Sequence, residues 1–195
     1  MTRLEQQMGF IAEIDKVKSI FRQTYISDGS RKENDAEHSW HLAIMAALLE
    51  EYAPEGTEIA RVMKMVLVHD LVEIDAGDTF AYDEKAAATQ REREVAAADR
   101  IFQLLPTDQA EEYRAVWDEF EDRMTKESKF AHALDNCQPL LLNAASGGKS
   151  WKEHQVKKSQ ILKRNLHTPA DAPKLWEFME QMIEEHIARG NIIDE

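Results

Sequence analysis

The chain has 195 residues, 43% of them hydrophobic, with 37 acidic side chains against 24 basic ones and a formal net charge of -13. That excess of negative charge argues against long nucleic acid as a partner, because phosphate-backbone binding depends on clustered Lys and Arg that release counterions. A small anion stays compatible with it, since a bound cation can make one pocket positive inside an acidic surface.

One sizeable core fits this length, so a single soluble domain over 1–195 is expected. The single cysteine, Cys137, excludes an intrachain disulfide. Residues 1–18 mix Glu, Gln, Asp and Lys with apolar residues, unlike a signal or transit peptide. No apolar run approaches the ~20 residues that span a bilayer, and a cytoplasmic location without membrane contact is expected.

In chain order the periodicity reads as helix almost everywhere. Phe10, Ile11, Ile14, Val17 and Phe21 follow amphipathic spacing and predict a helix ending near Thr24, before the turn-forming Ser27-Asp28-Gly29-Ser30. A second helix is predicted over 36–52 and closed by Pro54-Glu55-Gly56. A third, over 58–74, is apolar on most sides and reads as the central buried helix, stopping before Gly77. Residues 85–105 are rich in Ala, Glu and Arg, and Pro106-Thr107-Asp108 offers a stop and an N-cap before the stripe Tyr113, Val116, Trp117, Phe120. Further helices fit 129–144, 151–165 and 173–189, the last with Pro173 near its start and Gly190 past its end. No alternating strand pattern is found. The expected fold class is all-α, a bundle of about seven to nine helices.

Chemistry enters at Val68-His69-Asp70-Leu71-Val72-Glu73, where an imidazole and a carboxylate stand side by side in an apolar run. His38, in Glu37-His38-Ser39, and Asp135, in Leu134-Asp135-Asn136, complete a candidate set of four ligands. Alone, each histidine reads as a hydrogen-bonded core residue and Asp135 as a cap or a partner of Arg. An ionised Asp70 among Val68 and Leu71 is costly without a cation, however, and the three segments together favour a metal. Two nitrogens and two carboxylates suit Mn, Co, Fe, Ni or Zn better than Ca. Glu73, one turn after His69, projects towards the same region and can hold a water; hydrolysis is the expected chemistry.

The order His38, then His69-Asp70, then Asp135 resembles the HD-domain metal-dependent phosphohydrolases. The surrounding text is closer still to their 5′-deoxynucleotidase branch, which acts on deoxynucleoside monophosphates. That text is Arg31-Lys32-Glu33-Asn34 before Glu37-His38-Ser39, then His69-Asp70-Leu71-Val72-Glu73, Gly77-Asp78-Thr79, and Lys129-Phe130 ahead of Leu134-Asp135. It covers Ile14 to Leu142, the expected metal-binding core, with C-terminal helices over 151–189 packing on it.

The resemblance implies that His38, His69, Asp70 and Asp135 ligate one divalent ion, with Mg added to the metals above. It implies that Glu73 activates or positions the attacking water and that Asp78 lies near the sugar 3′-hydroxyl and leaving oxygen. Arg22 falls where the family places a phosphate-binding arginine, a role suited to a bidentate guanidinium. The next family residue is typically a Trp whose bulk rejects a ribose 2′-hydroxyl; here it is Gln23. The implied activity is release of phosphate from (deoxy)nucleoside 5′-monophosphates by a metal-bound water. The implied assembly is a homodimer. Pyrophosphate or triphosphate hydrolysis, and a non-catalytic helical protein tied together by its metal, are the alternatives.

No histidine lies between Asp70 and His132, so a mononuclear site is expected unless His41 or His132 is recruited. His154, His167 and His186 read as surface or packing residues. Gly147-Gly148-Lys149-Ser150 lacks the earlier glycine and the strand of a phosphate-binding loop. The run Asp118-Glu119-Phe120-Glu121-Asp122 reads as a solvated helix face, and Trp117, Trp151, Trp176, Met179 and Met182 as core or dimer contacts.

Overall fold

The computed structural model describes residues 1–82 and 84–195, with backbone alone for 84–88. The first helix, α1 (Arg3–Ile14), starts at a capping box in which Thr2 Oγ1 accepts the Glu5 amide at 3.2 Å and Glu5 Oε2 accepts that of Thr2 at 2.6 Å. It ends ten residues before the expected Thr24. A 3-10 turn over Asp15–Ser19 follows, and the chain then extends into β1 (Phe21–Tyr25), antiparallel to β2 (Lys32–Asn34). The apolar stripe is helical only as far as buried Val17; Phe21 is 53% exposed, so nothing on the core side holds a further turn. Phe21, Thr24 and Tyr25 suit a strand, and Gly29, at φ +69°, closes the hairpin.

Asn34 caps α2 (Asp35–Leu48) through a capping box with Glu37. The predicted central helix over 58–74 is also broken. α3 (Ile59–Val68) gives way to a 3-10 turn over His69–Val72 and then to α4 (Glu73–Ala76), which stops at Gly77, φ +75°. The tighter winding of a 3-10 turn changes where successive side chains point, and it falls on the histidine and aspartate of the candidate site.

α5 (Glu84–Phe102) and α6 (Thr107–Asp122) follow, with Pro106 rather than Thr107 or Asp108 at the cap; the Asp108 carboxylate is instead held bidentately by Arg3. α7 (Lys126–Ala145), capped by Thr125, is the central element: Phe130, Ala131, Ala133 and Leu134 are fully buried, and α2, α3, α6 and later helices pack around it. Pro139 lies inside α7 and withholds the amide hydrogen that would close on the Asp135 carbonyl.

The helix expected over 151–165 is two, α8 (Lys149–Glu153) and α9 (Lys158–Arg164), parted by Gln155 at φ +50°. α10 (Thr168–Asp171) and α11 (Pro173–Ala188) complete the chain, giving eleven α-helices among the described residues. The fold is thus a helical bundle, as expected, with a small hairpin that the sequence pattern did not reveal. Trp117, Trp151, Met179 and Met182 are core residues, and Trp176 packs partly buried against them. No described helix is long and apolar enough to cross a membrane.

Candidate metal centre

Three helical segments deliver the four expected ligands to one place. From α2, fully buried His38 points Nε2 at Asp135 Oδ1 on α7, 3.0 Å away, and at Asp70 Oδ2, 3.9 Å away. From the 3-10 turn, His69 Nε2 lies 3.0 Å from Asp70 Oδ1 and 3.9 Å from Asp135 Oδ1.

The hydrogen bonds behind these rings decide which nitrogen is free. Gln138 gives its amide hydrogen to Glu33 Oε1 at 2.7 Å, so its Oε1 faces His38 and accepts the Nδ1–H at 3.1 Å. His69 Nδ1 faces the Val66 carbonyl at 3.0 Å, and a carbonyl only accepts. Both imidazoles therefore carry hydrogen on Nδ1 and turn an Nε2 lone pair toward two aspartates. Lone pairs facing carboxylate oxygens repel unless something positive lies between them.

His69 Nε2 is buried and makes no aligned hydrogen bond despite its nearness to Asp70, which is what a ligand nitrogen without its ion looks like. The residues fit a divalent cation. The electrostatics agree. Burial, with the Arg22 charge, lowers the His38 pKa and keeps that ring neutral. Burial would do the same to His69, but the Asp70 carboxylate outweighs it and lifts the ring to about 9. A proton there takes the place that a cation would fill. Asp70 is held down to about 2, its burial being overcome by His69 and Arg22. Asp135 is held well below its usual value because the adjoining His38 ring and the Arg164 charge overcome burial in the same way.

The remaining expected residues lie against this group. Arg22, on β1, sets Nη1 2.8 Å from Asp70 Oδ2 and 3.4 Å from Asp35 Oδ1. Glu73 is buried and Asp78 half-buried, and both line a cavity of about 300 Å³ with Arg22, Gln23, Asp70 and Asp135. Gln23 accepts a hydrogen bond from Lys32 on the neighbouring strand. Burial raises Glu73 well above the usual carboxylate range, with Asp70 and Asp35 adding repulsion, and it raises Asp78 too.

Sequence reasoning missed several members. Asp35 is fully buried beside Glu73 and pushed up to about 7 by burial and by Asp70. Its position one helical turn before His38 was a usable signal, as was that of Gln138 one turn after Asp135. Arg164, whose Nη2 donates to Asp135 Oδ2 at 3.2 Å, comes from α9 and left no local signal.

The acidic run is not simply solvated. Glu119 pairs with Arg61 at 2.5 Å, and Glu121 lines the cavity with its carboxyl pushed up to about 7 by burial and by Glu94. His41 and His132 stay outside the four-ligand group: His41 Nδ1 faces the Gln138 amide at 3.2 Å, and His132 stacks on Phe120 and donates to its carbonyl at 2.8 Å. His186 is a packing residue, bonded to Asn191 at 2.8 Å and set against Trp151. Lys149, from the glycine-rich segment, donates to the Gly29 carbonyl and ties α8 to the hairpin.

Comparison with known proteins places this geometry. A family profile described as HD domain matches residues 14–176. The 5′-deoxynucleotidase HDDC2 of Xenopus laevis is 30% identical over 134 residues, covering 69% of this chain and 63% of that protein. The human protein of the same name is 29% identical over 133 residues, covering 68% and 64%. The chain thus spans a little under two thirds of the length of these relatives. A crystal structure described as a predicted metal-dependent phosphohydrolase from Magnetospirillum magnetotacticum MS-1 superposes with a TM-score of 0.93 at 50% identity, covering 97% of this chain and 95% of that one. The chain belongs to the HD-domain family.

Proposed function

We propose that the chain is a metal-dependent phosphohydrolase that releases phosphate from nucleoside 5′-monophosphates. The observation that carries this reading is the convergence of the His38 and His69 Nε2 atoms with the Asp70 and Asp135 carboxylates beside a cavity that also holds Arg22. The names of the relatives, a metal-dependent phosphohydrolase and 5′-deoxynucleotidases, support it.

In this reading His38, His69, Asp70 and Asp135 hold one divalent ion. When bound, the ion supplies Lewis acidity at a phosphoryl oxygen and lowers the pKa of a neighbouring water. Arg22 binds the phosphate by exchanging Asp70 Oδ2 for phosphate oxygens, a trade its planar fork makes without losing its pairing. Glu73 positions the attacking water and takes its proton. Asp78 holds the sugar end and supports departure of the leaving oxygen. Burial raises both carboxyls above their usual range, the direction that favours a group exchanging protons in a reaction.

Protein loaded with Mn or Co, given deoxy- and ribonucleoside mono-, di- and triphosphates, tests the proposal. Inorganic phosphate and nucleoside from the monophosphates are expected. Pyrophosphate or triphosphate as the product, or no release from any substrate, overturns it.

A further inference from the structure

A second cavity, of about 350 Å³, opens between α9, the end of α6 and residues 81–82. That volume suits a small ligand. In a chain of net charge -13, its described lining holds Arg123, Lys163, Arg164 and His167 and no acidic side chain. Like charges gathered in one pocket repel unless an anion joins them. Tyr82 and Arg164 line this cavity and the catalytic one alike, so the two adjoin.

The donors of this pocket are only partly engaged. Arg123 Nη2 meets Asp171 Oδ2 at 3.3 Å, while its Nε is buried with no hydrogen-bond partner among the described residues. Its backbone is left-handed, at φ +53°, on the C-cap of α6. Gly or Asn makes such a helix end more easily, so the arginine stands there at a conformational cost. Arg164 directs Nε to Asn136 Oδ1 at 3.0 Å and Nη2 to Asp135 Oδ2 at 3.2 Å. With 44% of its side chain exposed, it keeps Nη1 for another acceptor. His167 is exposed and adds a ring N–H. Lys163 has a contact of its own and adds charge to the pocket. Burial lifts the Tyr82 phenol to about 12, so its hydroxyl stays a donor at neutral pH.

We propose that Arg123, Arg164, His167 and Tyr82 form a phosphate subsite beside the catalytic cavity. The Nε and Nη2 edge of an arginine takes two oxygens of one phosphate, and on Arg123 that edge has one nitrogen unpaired and the other on a long bond. The remaining donors come from other elements, which suits a tetrahedral anion better than a planar carboxylate. The shared wall puts the pocket within reach of a second phosphate on a nucleotide whose scissile phosphate lies at the metal centre. Free inorganic phosphate has the same chemistry. The inference rests on the hydrolase reading for that use, and not for where phosphate binds.

Binding without turnover tests it. Metal-free protein is titrated with inorganic phosphate at constant ionic strength, and backbone amide shifts are followed by nuclear magnetic resonance. Saturable shifts are expected at Arg123 and over 160–167. The dissociation constant should weaken about tenfold or more in Arg123→Gln and in His167→Gln, the loss of one charge-assisted hydrogen bond. Two variants are used because Arg123 also ends α6, while His167 is exposed. Absence of saturable shifts there, or undiminished binding in either variant, overturns the subsite. Metal-loaded protein separates the two sources. A KM about tenfold lower for adenosine 3′,5′-bisphosphate than for adenosine 5′-monophosphate, lost in His167→Gln, identifies the second phosphate of a substrate. Equal KM values, with phosphate still bound over 160–167, identify the free ion. Phosphate binding in this pocket without release from any nucleotide would sink the hydrolase reading and leave the subsite standing; release without binding there would do the reverse.

Discussion

Gln138 receives the Nδ1–H of His38 at 3.1 Å while giving its own amide hydrogen to Glu33 at 2.7 Å. The direction of that chain fixes which nitrogen of His38 faces Asp135. Glu33, buried and raised to about 7 by that burial, anchors the far end.

Gln138→Leu removes the acceptor and frees the ring to turn or change tautomer. Groups of this kind behind a metal-ligating histidine are worth roughly 10–100-fold in affinity. The variant is expected to fold and to bind Zn or Mn that much more weakly in calorimetric titration. Unchanged affinity would show that the ring is held by other means.

Removal of the ion should also register as stability. A ligand at 100 times its Kd stabilises the native state by about 2.7 kcal/mol, so chelator should lower the wild-type Tm. His69→Ala, lacking one of the four donors, should start with little metal by elemental analysis and show no further drop. A Tm indifferent to chelator in the wild type would argue that the group stays closed on its own charges.

Gln23 stands on the cavity wall where the resemblance leads one to expect Trp. An amide held by Lys32 leaves room and polarity for a ribose 2′-hydroxyl. The wild type is expected to hydrolyse ribo- and deoxyribonucleotides at similar kcat/KM, and Gln23→Trp to favour deoxyribonucleotides by about tenfold, the effect of ~1.4 kcal/mol of steric exclusion. Strong deoxyribose preference in the wild type would place the discrimination elsewhere.

His132 supplies a pH signature in the metal-free protein. Burial lowers its pKa to about 4, against an ordinary 6.5 once unfolded. Below 6.5 the unfolded chain binds the proton and the folded one does not. Stability is therefore complete above pH 6.5 and lost as pH falls to about 4, by at most ~3.4 kcal/mol at 1.36 kcal/mol per unit. Urea midpoints in chelator should fall less steeply over that range for His132→Gln than for the wild type. Parallel curves would assign the acid sensitivity to the carboxylates.

What could be read from the chain alone follows how local each signal is. His38, His69, Asp70 and Asp135 sit in short segments whose residue types already conflict with an apolar core, so their convergence could be expected without coordinates. The break after Val68 did not, because the apolar run continues through Leu71 and Val72 while the winding changes beneath it. Strands of five and three residues are too short to display alternation, which hid the hairpin carrying Arg22. Arg164 reaches Asp135 from a different helix, a relation that only the tertiary packing creates.

Pro139 gives α7 a mechanical property at the point where it matters. With no amide hydrogen to offer, it leaves the backbone at Asp135 free of one tether, although the surrounding turns are locked in the densest part of the bundle. That turn can widen or close by tenths of an ångström without breaking a bond. Under the proposal that Asp135 holds a divalent ion, that freedom lets the aspartate follow changes in ionic radius, so exchanging one ion for another would leave the rest of the scaffold undisturbed.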